Sequence, residues 1–598
     1  MVNCRLTILN PRLLILLLFG LFNLPVSIEG GPQMSGNEDR KFNDFVKEFL
    51  EGYFKRNPVA ATWIGEHRYD GELNDLSPEA IQEEIKWLKL SLRKLEEVDP
   101  QGLNRENRID YEILKNEMEG DIFSMEELRG WEKNPLFYNY LIGGSLNSLL
   151  KRDFAPLEVR VENAISRLKK IPPLLEQAKK NLLNPPKVHT ETVIKQNQGL
   201  IHLIENDLAN AAEKTPKLKE VLQKASEKAL SALKDYQEFL EKDLLPRSNG
   251  DFRLGKDLYE KKLKYILQSS LSSKEIVRRA EKEFERVRKE MLEIALPLHK
   301  ELFPTHKHLE TGNSLIQLVV REVQEEIAKE HPIGEELLEV RQRTVRDLEA
   351  FVKEKNLITL SEDQPLVIRW TPEFSRGVAG AGLDSPGPLE KHLRSFYYVS
   401  PIPEDWTKED EESFLKEYNN EMVKILSIHE AIPGHYVQLY YSNRFPSLVR
   451  AIFSNGPFVE GWAVYSEQMM VNAGFDYGNP KLKLQQLKFY LRTVINALLD
   501  AKIHIENLSE EEALKLMVEG GFQEISEAKG KWKRARLTST QLSTYFVGFQ
   551  EIQDLERDYR RLKREGYSQK EFHEALLSHG SPPVKYLREI LLKTDDRQ

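Results

Sequence analysis

The residues best suited to chemistry lie in one short string, SIHEAIPGH, at 427–435. In the familiar HExxH arrangement, two histidines four residues apart on one helical face bind zinc, and the glutamate beside the first histidine activates the metal-bound water. His429 and Glu430 match the start of that arrangement, but the second histidine, His435, comes six residues after the first. The string therefore predicts a metal centre with Glu430 as the catalytic base.

The spacing of these histidines does not suit an unbroken helix. At roughly 100° per residue, a step of six turns the second side chain about 120° away from the first. Pro433 has no amide hydrogen for the carbonyl of His429, and Gly434 accepts backbone angles that are closed to other residues. A local bulge at 432–434 is therefore expected to return His435 to the metal face. The alternative is a pair of ordinary hydrogen-bonded histidines at a Pro-Gly helix end.

A catalytic zinc needs a third protein ligand, which leaves one position open for water. Glu460 follows His435 by 25 residues in the string NGPFVEGWAVYSEQMM. Asn455 is a good helix cap and Pro457 suits a first helical turn. Glu460 is therefore the predicted third ligand, on a helix that begins beside Asn455.

Glu467 lies two turns after Glu460 on the same helical face, and it is expected to orient a ligand imidazole from behind. The alternative is that both glutamates are solvated. The apolar neighbours favour a buried helix and hence the functional interpretation; they are Phe458, Trp462 and Ala463.

The elements around these strings are predicted to be mostly helical. Thr407 is expected to cap a helix together with Asp410, and this helix is expected to extend to the histidines. Its buried face is marked by Phe414, Tyr418, Met422, Ile425 and Leu426. Further upstream, 39–303 shows long amphipathic helices separated by proline pairs. The predicted helices are Pro78 to Leu95, Leu157 to Lys170 and Ser272 to Leu296, and the breaks are Pro172-Pro173 and Pro185-Pro186. Their apolar stripes indicate helices that pack on one another rather than a groove for a partner.

Two β-prone runs, Leu366 to Trp370 and Ser395 to Val399, flank the glycine- and proline-rich string GVAGAGLDSPGPLE. That string lacks the spacing of a phosphate-binding loop and is interpreted as a surface loop. The run Arg394 to Val399 is expected to be an edge strand along which an extended peptide lies. The predicted domains are a signal peptide at 1–30, a helical N-terminal lobe at 31–305 and a catalytic zinc-binding half at 306–598.

The first residues are typical of a secretory signal peptide. Arg5 and Arg12 precede an apolar run from Leu13 to Leu24, followed by small residues up to Gly31. The run is shorter than the roughly 20 apolar residues that span a bilayer, so cleavage is favoured over retention as an anchor, and no stable membrane span is expected afterwards. The protein is therefore predicted to be exported.

Composition limits the partners and the ligands. The 598 residues carry a net charge of -9 with both signs interspersed, which argues against nucleic acid as a partner. The only cysteine, Cys4, precedes the apolar run, where it is badly placed for lipid attachment and would leave with the signal peptide. A zinc site must then use histidine and carboxylate ligands, and one zinc per chain is expected.

The strings HEAIPGHYVQ and FVEGWAVYSE resemble a large family of exported bacterial and archaeal proteins, the domain of unknown function 885 family, whose members are candidate zinc metallopeptidases. FVEGWAVYSE is also distantly similar to the third-ligand segment of thimet oligopeptidase-like gluzincins. The resemblance extends over most of the chain, from FNDFVKEFLEGYFKRNPVAATWIGEHRYD to FHEALLSHGSPPVKYLRE. It implies a mainly α, two-lobed fold with a deep cleft, zinc at its floor and a small β element near the active site.

The same resemblance points to three further residues. Asp500 and His504 lie four apart on a helix, and this pair is expected to bind substrate or to stabilise a transition state. Tyr545 corresponds to a tyrosine whose hydroxyl donates to the oxyanion in similar peptidases. A hydrogen-bonded core histidine and a packing tyrosine are the alternatives.

Together these features predict a zinc-dependent peptidase acting on a peptide substrate, with His429, His435 and Glu460 on the metal and Glu430 as the base on its water. A zinc hydrolase of non-peptide amides or esters is one alternative. A catalytically silent helical protein that keeps zinc as a staple is another, although Glu430 would have no purpose there.

Overall fold

The computed structural model describes residues 36–362, 365–371, 381–403 and 406–592. The predicted signal peptide at 1–30 lies outside these ranges. Within them the chain is mainly helical with one small sheet, as the sequence predicts. None of the described helices is long and apolar enough to cross a membrane.

Helices make up the N-terminal part of the described chain, and short 3-10 and π segments join or continue several of them. Their bounds are α1 Asn37–Arg56, α2 Pro58–Ile64, α3 Pro78–Glu96, α4 Arg105–Phe123, α5 Gly130–Lys133, α6 Leu136–Lys151, α7 Leu157–Asn181, α8 Lys187–His202, α9 Ala209–Lys214 and α10 Lys219–Phe239.

One predicted break in this region is wrong. Helix α7 continues past Pro172 and Pro173, which both lie inside it. The lost helical hydrogen bonds are compensated by packing, since Ile171, Leu174 and Leu175 on the same stretch are buried. The second proline pair does separate two helices, as predicted, because α8 begins directly after Pro186.

The remainder of the described chain contains fifteen further helices and three strands. The helices before the strands are α11 Gly255–Leu267, α12 Ser273–Leu302, α13 Gly312–Ile327 and α14 Leu337–Glu354, and the strands are β1 Val367–Trp370, β2 Ala381–Asp384 and β3 Phe396–Val399. The helices after them are α15 Lys408–Glu417, α16 Asn420–Glu430, α17 His435–Ser442, α18 Leu448–Ile452, α19 Gly456–Asn472, α20 Pro480–Ile505, α21 Glu510–Lys515, α22 Ile525–Leu537, α23 Ser543–Lys563, α24 Gln569–Leu577 and α25 Val584–Leu592.

The helix predicted to run from Thr407 to the histidines is two helices. Thr407 caps α15 as expected, and its side chain accepts a hydrogen bond from the amide of Asp410 at 3.1 Å. The chain then breaks, because the Asn419 side chain accepts hydrogen bonds from the amides of the first turn of α16. Asparagine at this position starts a new helix, and the apolar periodicity alone did not reveal it.

The three strands form one sheet in the order β1-β3-β2, with β1 parallel and β2 antiparallel to β3. The two β-prone runs are thereby confirmed as β1 and β3. Two details differ from expectation. The central strand is β3, so it is not an edge strand, and β2 is formed by 381–384 within the string interpreted as a loop. The part of that string before 381, residues 377–380, lies outside the described residues.

The main hydrophobic core connects α11 and α12 with the helices that carry the predicted metal ligands. At its centre, α19 and α23 cross with their backbones in contact. A Cβ on Gly461 would lie 2.3 Å from the backbone carbon of Gly548, and a Cβ on Gly548 would lie 1.7 Å from the carbonyl oxygen of Pro457. The core therefore fixes α19 firmly against α23. The division of the chain at residue 306 and the deep cleft stay predictions.

Candidate metal centre

The two histidines of the SIHEAIPGH string lie on different helices. His429 and Glu430 end α16, and His435 begins α17. Between them the chain makes a tight loop in which the amide of Gly434 donates to the carbonyl of Ile428 at 2.9 Å. The predicted local distortion at 432–434 is present, but it is a break between two helices rather than a bulge inside one.

Gly434 permits this loop by its lack of a side chain. Its φ is -70°, which other residues adopt, so a left-handed conformation is not the reason for the glycine. A Cβ at this position would lie only 1.9 Å from the carbonyl oxygen of His429 and 2.3 Å from that of Ile428. The loop can therefore fold back on α16 only if residue 434 is a glycine.

The loop is held from the other side by α19. Trp462 is fully buried, and its indole Nε1 donates to the carbonyl of Pro433 at 2.8 Å. Helix α19 begins as predicted, since the Asn455 side chain accepts from the amide of Phe458 at 3.0 Å and Pro457 lies in the first turn. The SIHEAIPGH string and the first half of α19 are thus joined by a hydrogen bond between the backbone of one and a side chain of the other.

This packing brings His429, His435 and Glu460 together. One ligand atom from each lies within 4.8 Å of the other two. Oε2 of Glu460 is 3.7 Å from Nε2 of His429 and 3.5 Å from Nε2 of His435. These separations are long for hydrogen bonds, but ligands about 2.0 to 2.1 Å from a tetrahedral metal lie roughly 3.3 to 3.4 Å apart. The spacing therefore suits a shared metal ion.

Glu467 lies behind His429, as the sequence predicts. Its Oε1 is 2.6 Å from Nδ1 of His429, and its side chain is fully buried. Burial raises the pKa of Glu467 to about 7, an effect that its hydrogen bond with His429 partly offsets. A carboxylate that accepts a hydrogen bond from Nδ1–H fixes the tautomer in which Nε2 of the imidazole carries a lone pair for a metal.

The charges at the centre depend on one another. Burial alone would lower the pKa of His429, but the carboxylates of Glu460 and Glu467 outweigh it and hold this pKa well above its usual value. Burial would likewise raise the pKa of Glu460, yet the two imidazoles hold it well below its usual range. Among the described residues, no hydrogen-bond partner is found for Oε2 of Glu460 or Nδ1 of His435, although both atoms are buried. A cation beside Glu460 would satisfy its buried oxygen.

Glu430 is separate from the three ligands and faces the sheet. The amide of Leu383 in β2 donates to Oε2 of Glu430 at 3.2 Å. In an antiparallel pair, successive amides point to opposite sides, so this contact shows that β2 turns its outer edge towards the SIHEAIPGH string. The small β element thus lies beside the candidate site, as expected.

Tyr545 lies in the first turn of α23. Its hydroxyl accepts hydrogen bonds from Arg534 and from Nε2 of Gln541, both at 3.3 Å. Burial raises the pKa of Tyr545, and the nearby carboxylate of Glu460 adds to this effect. The hydroxyl is therefore a protonated group close enough to Glu460 for that carboxylate to raise its pKa.

Asp500 and His504 make their contacts with the segment that precedes α23. Asp500 accepts from the amides of Thr540 and Ser543 at 2.8 and 3.0 Å, so it caps the start of α23. Nε2 of His504 is 2.9 Å from the carbonyl oxygen of Thr538, and its ring stacks on Tyr259. These contacts do not bring either side chain to the three ligands.

Sequence patterns did not reveal three supports of the site, namely the Leu383 amide, the indole of Trp462 and the Arg534 and Gln541 partners of Tyr545. The indole was recognised only as an apolar neighbour. A tryptophan two residues after a candidate ligand was a usable signal, because a buried indole N–H needs an acceptor. No sequence signal could have predicted the contact of the Leu383 amide, since every residue except proline has a backbone N–H.

Three comparisons bear on these observations. A family model described as "Bacterial protein of unknown function (DUF885)" matches residues 58–591. A solved structure described as "a putative lipoprotein of unknown function from Shewanella oneidensis" is 32% identical, with a TM-score of 0.80 over 92% of this chain and 100% of that chain. Another, described as "the putative lipoprotein from Colwellia psychrerythraea", is 17% identical and shares the fold, with a TM-score of 0.76 over 93% of this chain and 99% of that chain. No curated protein matches the sequence.

Proposed function

We propose that this chain, which belongs to the DUF885 family of bacterial proteins, is an exported zinc metallopeptidase that hydrolyses peptide bonds. The family match agrees with the assignment made from the sequence, whereas the likeness to thimet oligopeptidase-like enzymes stays a prediction. The observation that carries the proposal is the convergence of His429, His435 and Glu460, with the separate carboxylate of Glu430 beside them.

The donor set fits zinc better than other common ions. Two imidazoles and one carboxylate are a frequent ligand set of catalytic zinc, and three protein ligands leave a coordination position for water. Magnesium and calcium prefer sites built from oxygen donors alone. When bound, zinc acts as a Lewis acid, polarises a carbonyl group and lowers the pKa of its water to about 7. We expect one zinc at this centre.

Glu430 is placed to move the protons of the reaction. It is not needed as a fourth ligand, and the Leu383 amide holds its Oε2 by a hydrogen bond. In the proposed reaction, Glu430 accepts a proton from the attacking water and delivers it to the leaving amine. An ion used only as a staple would give this carboxylate no such role.

Tyr545 is proposed to donate a hydrogen bond from its hydroxyl to the developing oxyanion, because burial and the Glu460 charge keep the hydroxyl protonated. For Asp500 the contacts favour a positioning role, since it caps the helix that carries Tyr545. His504 would act more remotely, by holding the carbonyl of Thr538 in the same segment. A direct contact of His504 with substrate stays a proposal from the resemblance alone.

The outer edge of β2 supports a peptide as the substrate. Ala381 and Leu383 are two apart, so the backbone groups of Ala381 point to the same side as the Leu383 amide. An extended chain could add to this edge through main-chain hydrogen bonds, with its scissile bond beside Glu430. The role first assigned to Arg394 to Val399 thus passes to β2.

Export is proposed from the N-terminal sequence, and the two neighbours named as lipoproteins support it. Lipid attachment is not part of the proposal for this chain. A lipid-bearing cysteine would have to follow the apolar run, whereas Cys4 precedes it.

The proposal is tested by incubating the zinc-loaded protein with a mixed peptide library and, separately, with simple amides and esters, and by mass spectrometry of the products. We expect cleaved peptides, loss of cleavage after chelation, and recovery when zinc is returned. Turnover of esters or small amides alone would replace the peptidase by a different zinc hydrolase. No turnover of any substrate by zinc-loaded protein would favour the silent binding protein.

A further inference from the structure

A second cluster of metal-binding side chains lies far along the chain from the first. His299 is in the last turn of α12, Glu322 is on α13, and the linker between these helices supplies His306 and His308 in the string HKH. None of these residues belongs to the metal centre proposed at 427–467.

One carboxylate oxygen is the centre of this cluster. Oε2 of Glu322 lies 2.5 Å from Nε2 of His299, 3.3 Å from Nε2 of His308 and 3.4 Å from Nδ1 of His306. The Nε2 atoms of His299 and His308 face each other at 3.3 Å. One ligand atom each from His299, His308 and Glu322 lies within 4.8 Å of the other two, the same limit that the first centre meets.

Hydrogen bonds account poorly for this arrangement. Nε2 of His299 and Nε2 of His308 both point at Oε2 of Glu322, and if both carried a hydrogen the two N–H groups would also face each other at 3.3 Å and repel. A divalent cation instead accepts lone pairs from every nitrogen that points at it. Two of the separations, both 3.3 Å, match the roughly 3.3 Å between donors of a tetrahedral zinc ion, whereas the 2.5 Å between Glu322 and His299 is a hydrogen-bond distance that a bound zinc would lengthen.

Each ligand is supported by its surroundings. His299 is buried, with a side-chain exposure of 6%, and its ring contacts Phe303. The ring of His306 is stacked on Phe303 at a centroid distance of 5.0 Å. Nδ1 of His308 lies 3.7 Å from a carboxylate oxygen of Glu310, which can orient the ring from behind.

We propose that His299, His306, His308 and Glu322 form a second zinc-binding site that ties the 303–311 linker to α12 and α13. His299, His308 and Glu322 already converge, and His306, 3.4 Å from Glu322, is the proposed fourth ligand; three imidazoles and one carboxylate can close a tetrahedral ion completely, as structural sites do, so no open position for water is expected. The site is therefore structural, and it does not rest on the proposed peptidase activity.

Zinc stoichiometry in single-site variants tests this proposal. Metal-free protein is dialysed against a small excess of zinc, unbound metal is removed, and zinc per chain is measured by elemental mass spectrometry. We expect two zinc ions in the wild type, one in His308→Ala, one in His435→Ala and none in the double variant. His202→Ala, an exposed histidine on α8, is the matched control and should keep two.

The outcomes separate the two centres. If His308→Ala binds as much zinc as His202→Ala, the second site is refuted while the first is untouched. If His435→Ala keeps all its zinc and His308→Ala loses one, the first centre fails and the second stands.

A thermal measurement guards against a variant that does not fold. In the His435→Ala background, zinc should raise the melting temperature by a few degrees, because only the folded state contains the second site. His306→Ala, whose side chain is 51% exposed and can be removed with little disturbance, should reduce this rise and weaken zinc binding at least tenfold. An unchanged rise in both His306→Ala and His308→Ala would overturn the proposal.

Discussion

Replacing Gly434 by alanine should disrupt the metal centre through one added methyl group. The new Cβ would lie 1.9 Å from the carbonyl oxygen of His429, where contacts under 3.0 Å essentially never occur, so these atoms must separate by about 1 Å more. The atom that must move is the backbone carbonyl oxygen of His429, a proposed metal ligand. Overpacking of this kind costs on the order of 1 to 3 kcal/mol, and tenfold in affinity corresponds to about 1.4 kcal/mol. We therefore expect Gly434→Ala to weaken zinc binding by about 10-fold to 100-fold.

The assay is competition with a chelator of known affinity, together with thermal melting of the metal-free protein. Gly199→Ala is the control, because Gly199 is exposed on α8 and a Cβ there meets nothing within 4 Å. That variant should bind zinc normally and be as stable as the wild type or slightly more. Equal zinc affinity for Gly434→Ala and Gly199→Ala would refute the argument that the loop needs a glycine to close the site.

Three further predictions follow from the hydrogen bonds and charges. Glu467→Gln should lower zinc affinity by about 10-fold to 100-fold in chelator competition, because a neutral amide supports the imidazole of His429 less well, and unchanged affinity would remove Glu467 from the site. Tyr545→Phe should lower kcat more than it raises KM, and an unaltered kcat would exclude the oxyanion role. Burial lowers the pKa of His67, but its contacts with the carboxylates of Asp70 and Glu390 outweigh this effect and raise the pKa to about 9. The folded state therefore keeps a proton on His67 that the unfolded state releases near pH 6.5. The free energy of unfolding should therefore fall by on the order of 2 kcal/mol as the pH rises from 6.5 to 9, and urea titrations of His67→Gln should show a smaller fall.

The sequence allowed the three converging ligands to be predicted because each lies in a string with strong local signals. Asn455 and Pro457 define the start of α19, and the two-turn spacing of Glu460 and Glu467 follows from helix geometry alone. The predicted distortion between His429 and His435 followed in the same way from a six-residue spacing that no regular helix closes.

Features set by tertiary contacts were not predictable in this way. Strand β2 is formed from a glycine-rich string with weak strand propensity, and pairing with β3 rather than local preference makes it a strand. The capping role of Asp500 depends on the segment at 540–543, forty residues later in the chain. The cluster around Glu322 has only the HKH string as a local signal, and the carboxylate that completes it comes from another helix.

The central claim is that Glu430 is the base of a zinc peptidase, and it is tested by the Glu430→Gln variant. Glutamine has the size of glutamate and still accepts a hydrogen bond from the Leu383 amide, but it has no basic carboxylate. Zinc content and melting temperature should therefore match the wild type. Glu460→Gln is the matched comparison, because a neutral amide there replaces an anionic ligand and zinc should be lost.

The decisive measurement is the rate of peptide cleavage by Glu430→Gln with its zinc content determined in the same sample. We predict full occupancy of the centre and a rate reduced by about 100-fold to 10,000-fold or more, as loss of a general base requires. A zinc-loaded Glu430→Gln that cleaves peptides at the wild-type rate would contradict the proposed function.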